Sequence, residues 1–89
     1  VLTQLEWAAQ SATSNATSLT VTGLPAALIP NSTSSNSLCA VTDNGTTQLG
    51  TVNVTSLGVI TFGLGASGGV FTGSGTKGFP AGSLIYKIA

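Results

Sequence analysis

The sequence contains few side chains that could perform chemistry. Glu6 and Asp43 are the only side-chain carboxylates, histidine is absent, and Cys39 is the only cysteine among the 89 residues. Serine and threonine are abundant, but no histidine can act as the base that activates a hydroxyl nucleophile, which leaves only a Ser–Lys arrangement with Lys77 or Lys87. The two carboxylates could form a glycosidase pair only if assembly placed them about 5–10 Å apart. We therefore expect a protein that is not an enzyme.

Metal and cofactor sites lack the residues that they need. A zinc site takes about three or four clustered ligands, and we do not expect this chain to supply such a cluster from itself. Residues 63–68 (GLGASG) match the dinucleotide pattern G-x-G-x-x-G, but the next residues (69–73, GVFTG) do not open a helix. Residues 73–78 (GSGTKG) are similar to a phosphate loop without the required G-K-[ST] order. We interpret both stretches as glycine-rich loops and expect no cofactor and no metal.

Charged residues make up only 4% of the chain and sum to zero, against about 25% in ordinary domains. Nucleic-acid binding depends on clustered Lys and Arg, and so does attraction to anionic membranes, so neither partner is expected. The longest apolar run, residues 24–30, is interrupted by Pro25 and is far shorter than the about 20 residues of a membrane span. A chain this small that cannot form an intrachain disulfide is expected to gain stability from oligomerisation.

Alternation of apolar and polar residues predicts an all-β chain. Asp43-Asn44-Gly45 predicts a hairpin turn, because Asn-Gly accepts the positive φ angles of a type I′ turn. Residues 5–12 could form two helical turns, but a helix of that length is marginal. The predicted strands are residues 1–7, 19–22, 38–42, 46–55, 59–64 and 83–88, with 70–72 as a further candidate, and the predicted connections are 11–18, 24–31 and 63–78. This spacing favours a single domain, residues 1–89, folded as a small antiparallel β-sandwich or barrel.

Individual side chains leave several alternatives open. Trp7 is a candidate for the sandwich core, for an intersubunit contact or for a platform on which a sugar stacks. Phe62 and Tyr86 lie in strand patterns and suit a core or an interface, whereas Phe71 or Phe79 could be exposed in the glycine-rich region. Cys39 lies in an apolar strand and is interpreted as a small buried hydrophobe. Four N-x-[ST] sequons, at Asn15, Asn31, Asn44 and Asn53, are interpreted as unmodified products of an Asn-, Ser- and Thr-rich composition.

Five segments follow one another in an order that is typical of one family. They are an early strand (residues 5–8, LEWA), a strand ending in Leu-Pro (19–25, LTVTGLP), a hairpin with the pattern G-x-I-x-F (52–62, VNVTSLGVITF), a closing loop (71–78, FTGSGTKG) and a final strand (83–88, SLIYKI). This order resembles the C-terminal head domain of phage tail fibres, tailspikes and related virion appendages. That domain is a short jelly-roll sandwich, similar to the complement/tumour-necrosis-factor type of head, and it usually forms trimers.

The resemblance implies a homotrimer that forms the C-terminal tip of a longer virion protein and contacts a host surface glycan or protein. The predicted contact residues lie in the loops 43–46 and 63–78 and are Asn44, Thr46, Phe71, Thr72 and Lys77. The predicted trimer interface is the apolar face of the last strand, formed by Leu84, Tyr86 and Ile88. Two alternatives remain: a purely structural trimerisation clamp or capsid decoration domain, and a carbohydrate-binding module of a larger secreted protein.

The oligomeric state tests the argument from size and charge. We expect light scattering to give the mass of a trimer for the isolated domain, and mild denaturant to dissociate and unfold it together. A well-folded monomer at high concentration would contradict this expectation, because the core of one chain would then be sufficient.

Overall fold

The computed structural model describes residues 2–88, and all strands in that range pair in antiparallel fashion. Apart from one short 3₁₀ turn, Ala26–Leu28, the regular structure of the described residues is entirely β. The eight strands are β1 (Leu2–Trp7), β2 (Gln10–Thr13), β3 (Leu19–Val21), β4 (Ser37–Asp43), β5 (Thr46–Val54), β6 (Ile60–Leu64), β7 (Thr76–Phe79) and β8 (Gly82–Lys87). The predicted all-β class and the sandwich-like architecture are confirmed.

Six strands predicted from alternation are present, while two others escaped prediction. Residue Val1 of the first predicted strand lies outside the described residues. The hairpin prediction is confirmed, since Asn44 and Gly45 both have positive φ, 48° and 79°. Except for Gln10 and Phe79, strands β2 and β7 lie in the segments 11–18 and 63–78 that were predicted to be loops, and residues 70–72 form no strand. Both missed strands are short and rich in small or polar residues, so local alternation carries little signal there.

The strands pair in a nested order around the central hairpin. The first strand pairs with the eighth, the second with the seventh, the third with the sixth, and the fourth with the fifth. Additional pairing of β4 with β7 and of β5 with β6 joins six strands into one sheet, in the order β2-β7-β4-β5-β6-β3. The two-stranded sheet β1-β8 forms the other layer, and β8 contacts β4 and β5.

Strands β1 and β2 form one long ribbon with β7 and β8. Leu2 lies opposite Lys87, Trp7 opposite Gly82 and Gln10 opposite Phe79. The register is unchanged across the interruption, because residues 8–9 on one strand and 80–81 on the other are both skipped. Pro80 lies in this interruption and has no N–H to donate to a ladder. The ribbon therefore passes from the two-stranded sheet into the six-stranded sheet at this point.

Three aromatic rings pack at the place where the ribbon changes sheets. The rings of Phe62 and Phe79 stack with centroids 4.5 Å apart, and Trp7 meets them edge-on at 5.7 and 6.2 Å. The Trp7 indole N–H donates a hydrogen bond to the Pro80 carbonyl oxygen at 3.1 Å. A Cβ on Gly82 would lie 3.0 Å from the Trp7 ring, so glycine leaves room for the indole. Of the three alternatives for Trp7, the structure therefore shows the packing expected of a core residue.

The last strand turns its predicted interface inward, toward the core of its own chain. Leu84 and Tyr86 are 3% and 4% exposed, and Ile88 packs against the same core. The Tyr86 hydroxyl donates to the Leu28 carbonyl oxygen at 2.7 Å, and burial raises its pKa because it disfavours the tyrosinate. Since side chains alternate along a strand, Ile85, which is 63% exposed, faces outward instead. Leu84 and Tyr86 thus have almost no surface left for a neighbouring subunit.

The core is small and tolerates little added volume. Its fully buried side chains are Val41, Val52 and Val54, each at most 1% exposed, and Cys39 packs against their cluster. Cys39 was predicted to be a small buried hydrophobe; it packs against the core but is only half-buried, and this partial burial raises the pKa of its thiol. The complete set of buried apolar residues is Val41, Val52, Val54, Ile60, Phe62, Phe71, Phe79, Leu84 and Tyr86.

The close packing at Gly50 gives a stability prediction. A Cβ there would lie 2.5 Å from the Gly63 carbonyl oxygen and 2.6 Å from a Val41 methyl carbon. We expect Gly50→Ala to lower the free energy of unfolding by about 1–3 kcal/mol, measured by denaturant titration. Gly73→Ala is the control, because its Cβ would meet nothing nearer than 3.7 Å. Equal stability of the two variants would show that Gly50 is not sterically constrained.

Candidate functional site

Three loops gather at one end of the molecule, and we call them the loop cluster: residues 14–18, 43–46 and 70–75. Backbone hydrogen bonds connect them. The Phe71 N–H donates to the Thr17 oxygen at 2.9 Å, and the Gly45 N–H donates to the Thr76 oxygen at 3.0 Å. The Ser14 N–H extends the long ribbon by donating to the Gly75 oxygen at 3.0 Å. These segments are distant in sequence, and the nested pairing of the strands brings them together.

The loop cluster lies at the far end of the ribbon from both described ends of the chain. Ser14 and Gly75 close the ribbon at one end, and Leu2 lies opposite Lys87 at the other. The molecule is 37 Å long and 23 by 20 Å across, so the ribbon runs along most of its length. The cluster therefore lies at the opposite end of the ribbon from Leu2 and Lys87.

Asp43 ties the hairpin to the third loop. Its side chain points inward, on the same face of β4 as Val41, and it is 5% exposed. One carboxylate oxygen accepts the backbone N–H of Thr72 at 3.0 Å, and the other accepts the Thr72 hydroxyl at 2.7 Å. Hydrogen bonds to an ionised acceptor are roughly twice as strong as neutral ones. This pair of bonds holds the third loop in place against the hairpin.

Lys77 ties the first loop to the third. Its side chain shares the inward face of β7 with Phe79 and is 3% exposed. The ammonium group donates to the Ser14 carbonyl oxygen at 2.7 Å and to the Ser74 carbonyl oxygen at 3.0 Å. A buried ammonium needs hydrogen-bond partners to offset its lost hydration. The two carbonyl groups meet that need. Separating the loops would leave the buried ammonium without these acceptors, so the hydrogen bonds of Lys77 stabilise the contact between the two loops.

The two buried charges leave the surface of the loop cluster without a charged side chain. The sequence contains only four charged residues, and the other two, Glu6 and Lys87, lie on β1 and β8 in the opposite layer. Asn15, Thr17 and Asn44 are among the exposed residues of the cluster. What the cluster offers to a ligand is therefore a set of amide and hydroxyl groups.

The structure brings all five predicted contact residues into this region but exposes only three of them. Asn44, Thr46 and Thr72 are exposed. Phe71 is 2% exposed and belongs to the core, and Lys77 is buried beneath the loops. These two residues support the cluster and present almost no surface, which corrects the expectation that they contact a receptor. Both were predicted from the position of a glycine-rich loop, which does not reveal which side chains turn inward.

Sequence reasoning missed the residues that tie the loops together. The sequence predicts Asp43 as part of the hairpin turn, and no local pattern connects it with Thr72, 29 residues later. The available signal was the strand alternation itself. It places Asp43 on the face of Val41, and it places Lys77 on the face of Phe79 once β7 is known to be a strand.

Two further concavities lie away from the loops. A cavity of about 210 Å³ is bordered by apolar side chains, with one edge formed by Gln10, and a groove of about 420 Å³ runs beside Asn31–Ser35 and the end of β8. The apolar lining consists of Trp7, Ala8, Val21, Ile60, Phe62 and Phe79. Within residues 2–88, no three His, Cys, Asp or Glu side chains come together as a metal site would require. In the same range there is no helix with the length and apolar character to cross a membrane.

Comparison with known proteins adds no relative: no family, curated protein or solved structure matches this chain.

The Lys77 tie gives a prediction about the loops. We expect Lys77→Met, which keeps the apolar stem but removes the ammonium, to destabilise the fold by about 1–3 kcal/mol, because two carbonyl groups lose their donor. Hydrogen exchange should quicken in residues 14–18 and 72–75 more than in β4 and β5. Lys87→Met, at an exposed position, is the control and should leave both measurements unchanged. Uniform loss of protection across all strands would contradict a local tie.

Proposed function

We propose that this chain is the trimeric tip domain of a phage tail fibre, spike or needle, which binds a host surface glycan or protein through the loop cluster. One observation carries the proposal. Asn44, Thr46 and Thr72, predicted as contact residues from two separate loops, come together at the end of the ribbon opposite Leu2 and Lys87. If the domain is joined to a fibre near either of those residues, the cluster faces away from the shaft.

The strand connectivity supports the jelly-roll part of the proposal. Nested pairing of the first strand with the eighth, the second with the seventh, the third with the sixth and the fourth with the fifth is what a rolled-up eight-stranded hairpin gives. Here β3 pairs with β6 inside the larger sheet, so the sandwich has two strands in one layer and six in the other.

A trimer requires a different interface from the one expected from the last strand, because Leu84 and Tyr86 are buried within the chain. Large exposed apolar side chains occur on the outer faces of both layers. Leu38 and Leu49 are 65% and 52% exposed on the central hairpin, and Leu2 and Ile85 are 71% and 63% exposed on the two-stranded sheet. These side chains supply apolar surface that subunit packing would remove from water.

A purely structural role, as a trimerisation clamp or capsid decoration, is the second candidate. Its specific support is that Phe71 and Lys77, two of the five predicted contact residues, serve the fold of the domain itself. A carbohydrate-binding module of a secreted protein would use the same neutral loops without a trimer. The oligomeric state and the effect of surface substitutions separate these candidates.

A surface substitution in the cluster tests the receptor-binding role. Thr46→Lys adds a long charged side chain at an exposed position of the hairpin. We expect binding of the labelled domain to host cells to fall at least tenfold, equivalent to about 1.4 kcal/mol, while the free energy of unfolding stays unchanged. Leu57→Lys is the matched control. Leu57 is 85% exposed. It follows the far end of β5, a nine-residue strand that begins at the hairpin and is about 30 Å long.

Normal binding by both variants would show that the loop cluster is not the contact surface. Loss of binding by Leu57→Lys alone would move the contact to the opposite end of the domain. No binding by the unmodified trimer to any host surface would favour the structural clamp.

A further inference from the structure

The hydroxyl group of Thr72 is held in one orientation at the surface of the loop cluster. Its oxygen lies 2.7 Å from one carboxylate oxygen of Asp43, which is itself 5% exposed. A carboxylate has no proton to give, so the Thr72 hydroxyl must be the donor in this bond. Thr72 as a residue is exposed. Its hydroxyl oxygen carries two lone pairs, which the bond to Asp43 does not use. Toward a ligand, this hydroxyl therefore acts as an acceptor.

The buried carboxylate also strengthens that acceptor. A hydrogen bond donated to an ionised group polarises the donor oxygen, and the effect grows in surroundings of low dielectric constant. The Thr72 N–H donates to the second oxygen of Asp43 at 3.0 Å, which fixes the backbone of the loop as well. An acceptor whose direction is fixed before binding loses little freedom when the ligand arrives.

A charged ligand would find no opposite charge on this surface. The ammonium of Lys77 is 3% exposed and occupied by two carbonyl oxygens, and the carboxylate of Asp43 is occupied by Thr72. An anion or cation that lost its hydration here would receive no ionic partner in return. The exposed amides and hydroxyls of Asn15, Asn44 and Thr46 pair as readily with neutral hydroxyl groups.

We infer that the ligand of the loop cluster is an uncharged saccharide, one hydroxyl of which donates a hydrogen bond to the oxygen of Thr72. The inference rests on the proposed receptor-binding function and adds the class of ligand to it. Thr72 acts as a residue that determines specificity, and Asp43 acts through it as a positioning residue.

The experiment uses the full chain on an array of neutral and anionic glycans, with Thr72→Val, Thr72→Ser and Thr20→Val as variants. Thr72→Val keeps the side-chain shape and the backbone N–H but removes the acceptor, so we expect its affinity for neutral glycans to fall about tenfold, as for one lost hydrogen bond. Thr72→Ser keeps the hydroxyl and should bind within a few-fold of the unmodified chain. Thr20→Val removes an exposed hydroxyl on β3, outside the cluster, and should have no effect.

Ionic strength tests whether the charge of the ligand contributes to binding. Between about 0.1 M and 1 M salt the screening length falls from about 10 Å to about 3 Å, so binding that depends on ligand charge weakens. We expect the affinity for neutral glycans to stay constant over this range. Circular dichroism and denaturant titration of each variant confirm that a loss of affinity does not come from unfolding.

Three results would overturn the inference while leaving receptor binding intact. The first is preferential, salt-sensitive binding of anionic glycans that Thr46→Lys alters. The second is binding to host cells through the cluster with no glycan bound, which would indicate a protein receptor. The third is equal loss in Thr72→Ser and Thr72→Val, since the hydroxyl would then not be the feature recognised. Absence of binding to both cells and glycans would instead reject the proposed function.

Discussion

The turn of the long ribbon from one sheet into the other is the constraint on which the rest of this fold depends. Residues 2–14 run antiparallel to residues 75–87 in one continuous register. The pairing is interrupted once, at residues 8–9 on one side and 80–81 on the other. There the Trp7 indole donates to Pro80 and packs edge-on against the stacked rings of Phe62 and Phe79. If the ribbon did not turn, its two halves could not belong to different layers, and the core would stay open on one side.

The same ribbon determines where the loops lie. Because its register continues to Ser14 and Gly75, the first and third loops meet at its far end, where the central hairpin also turns. The two charged side chains there, Asp43 and Lys77, both form hydrogen bonds that hold the loops together. A domain with so few charges thus uses half of them for internal order. The surface that remains is neutral and rich in hydrogen-bonding groups, which suits a ligand that is itself neutral.

Alternation predicted the strands whose apolar residues face a packed layer, and the Asn-Gly turn predicted the central hairpin. Alternation did not predict β2 or β7. The Gln10–Thr13 segment is exposed along its whole length, and Thr76–Phe79 contains a glycine and a lysine that faces inward. The pattern of β8 was interpreted correctly as an apolar face. We expected that apolar face to pack against another subunit, whereas in the structure it packs against the core of its own chain.

The sequence by itself determined the all-β class, the near absence of charge, the lack of histidine and the positions of several strands and turns. These properties follow from residue types and from periods of two, which act over a few neighbours. Only the tertiary structure decided that Asp43 meets Thr72, that Lys77 reaches Ser14, and that Phe71 and Tyr86 are buried. Those contacts join residues 29 to 63 positions apart, or depend on which face a neighbouring strand covers. Their physical origin is the nested pairing of strands, which no local pattern encodes.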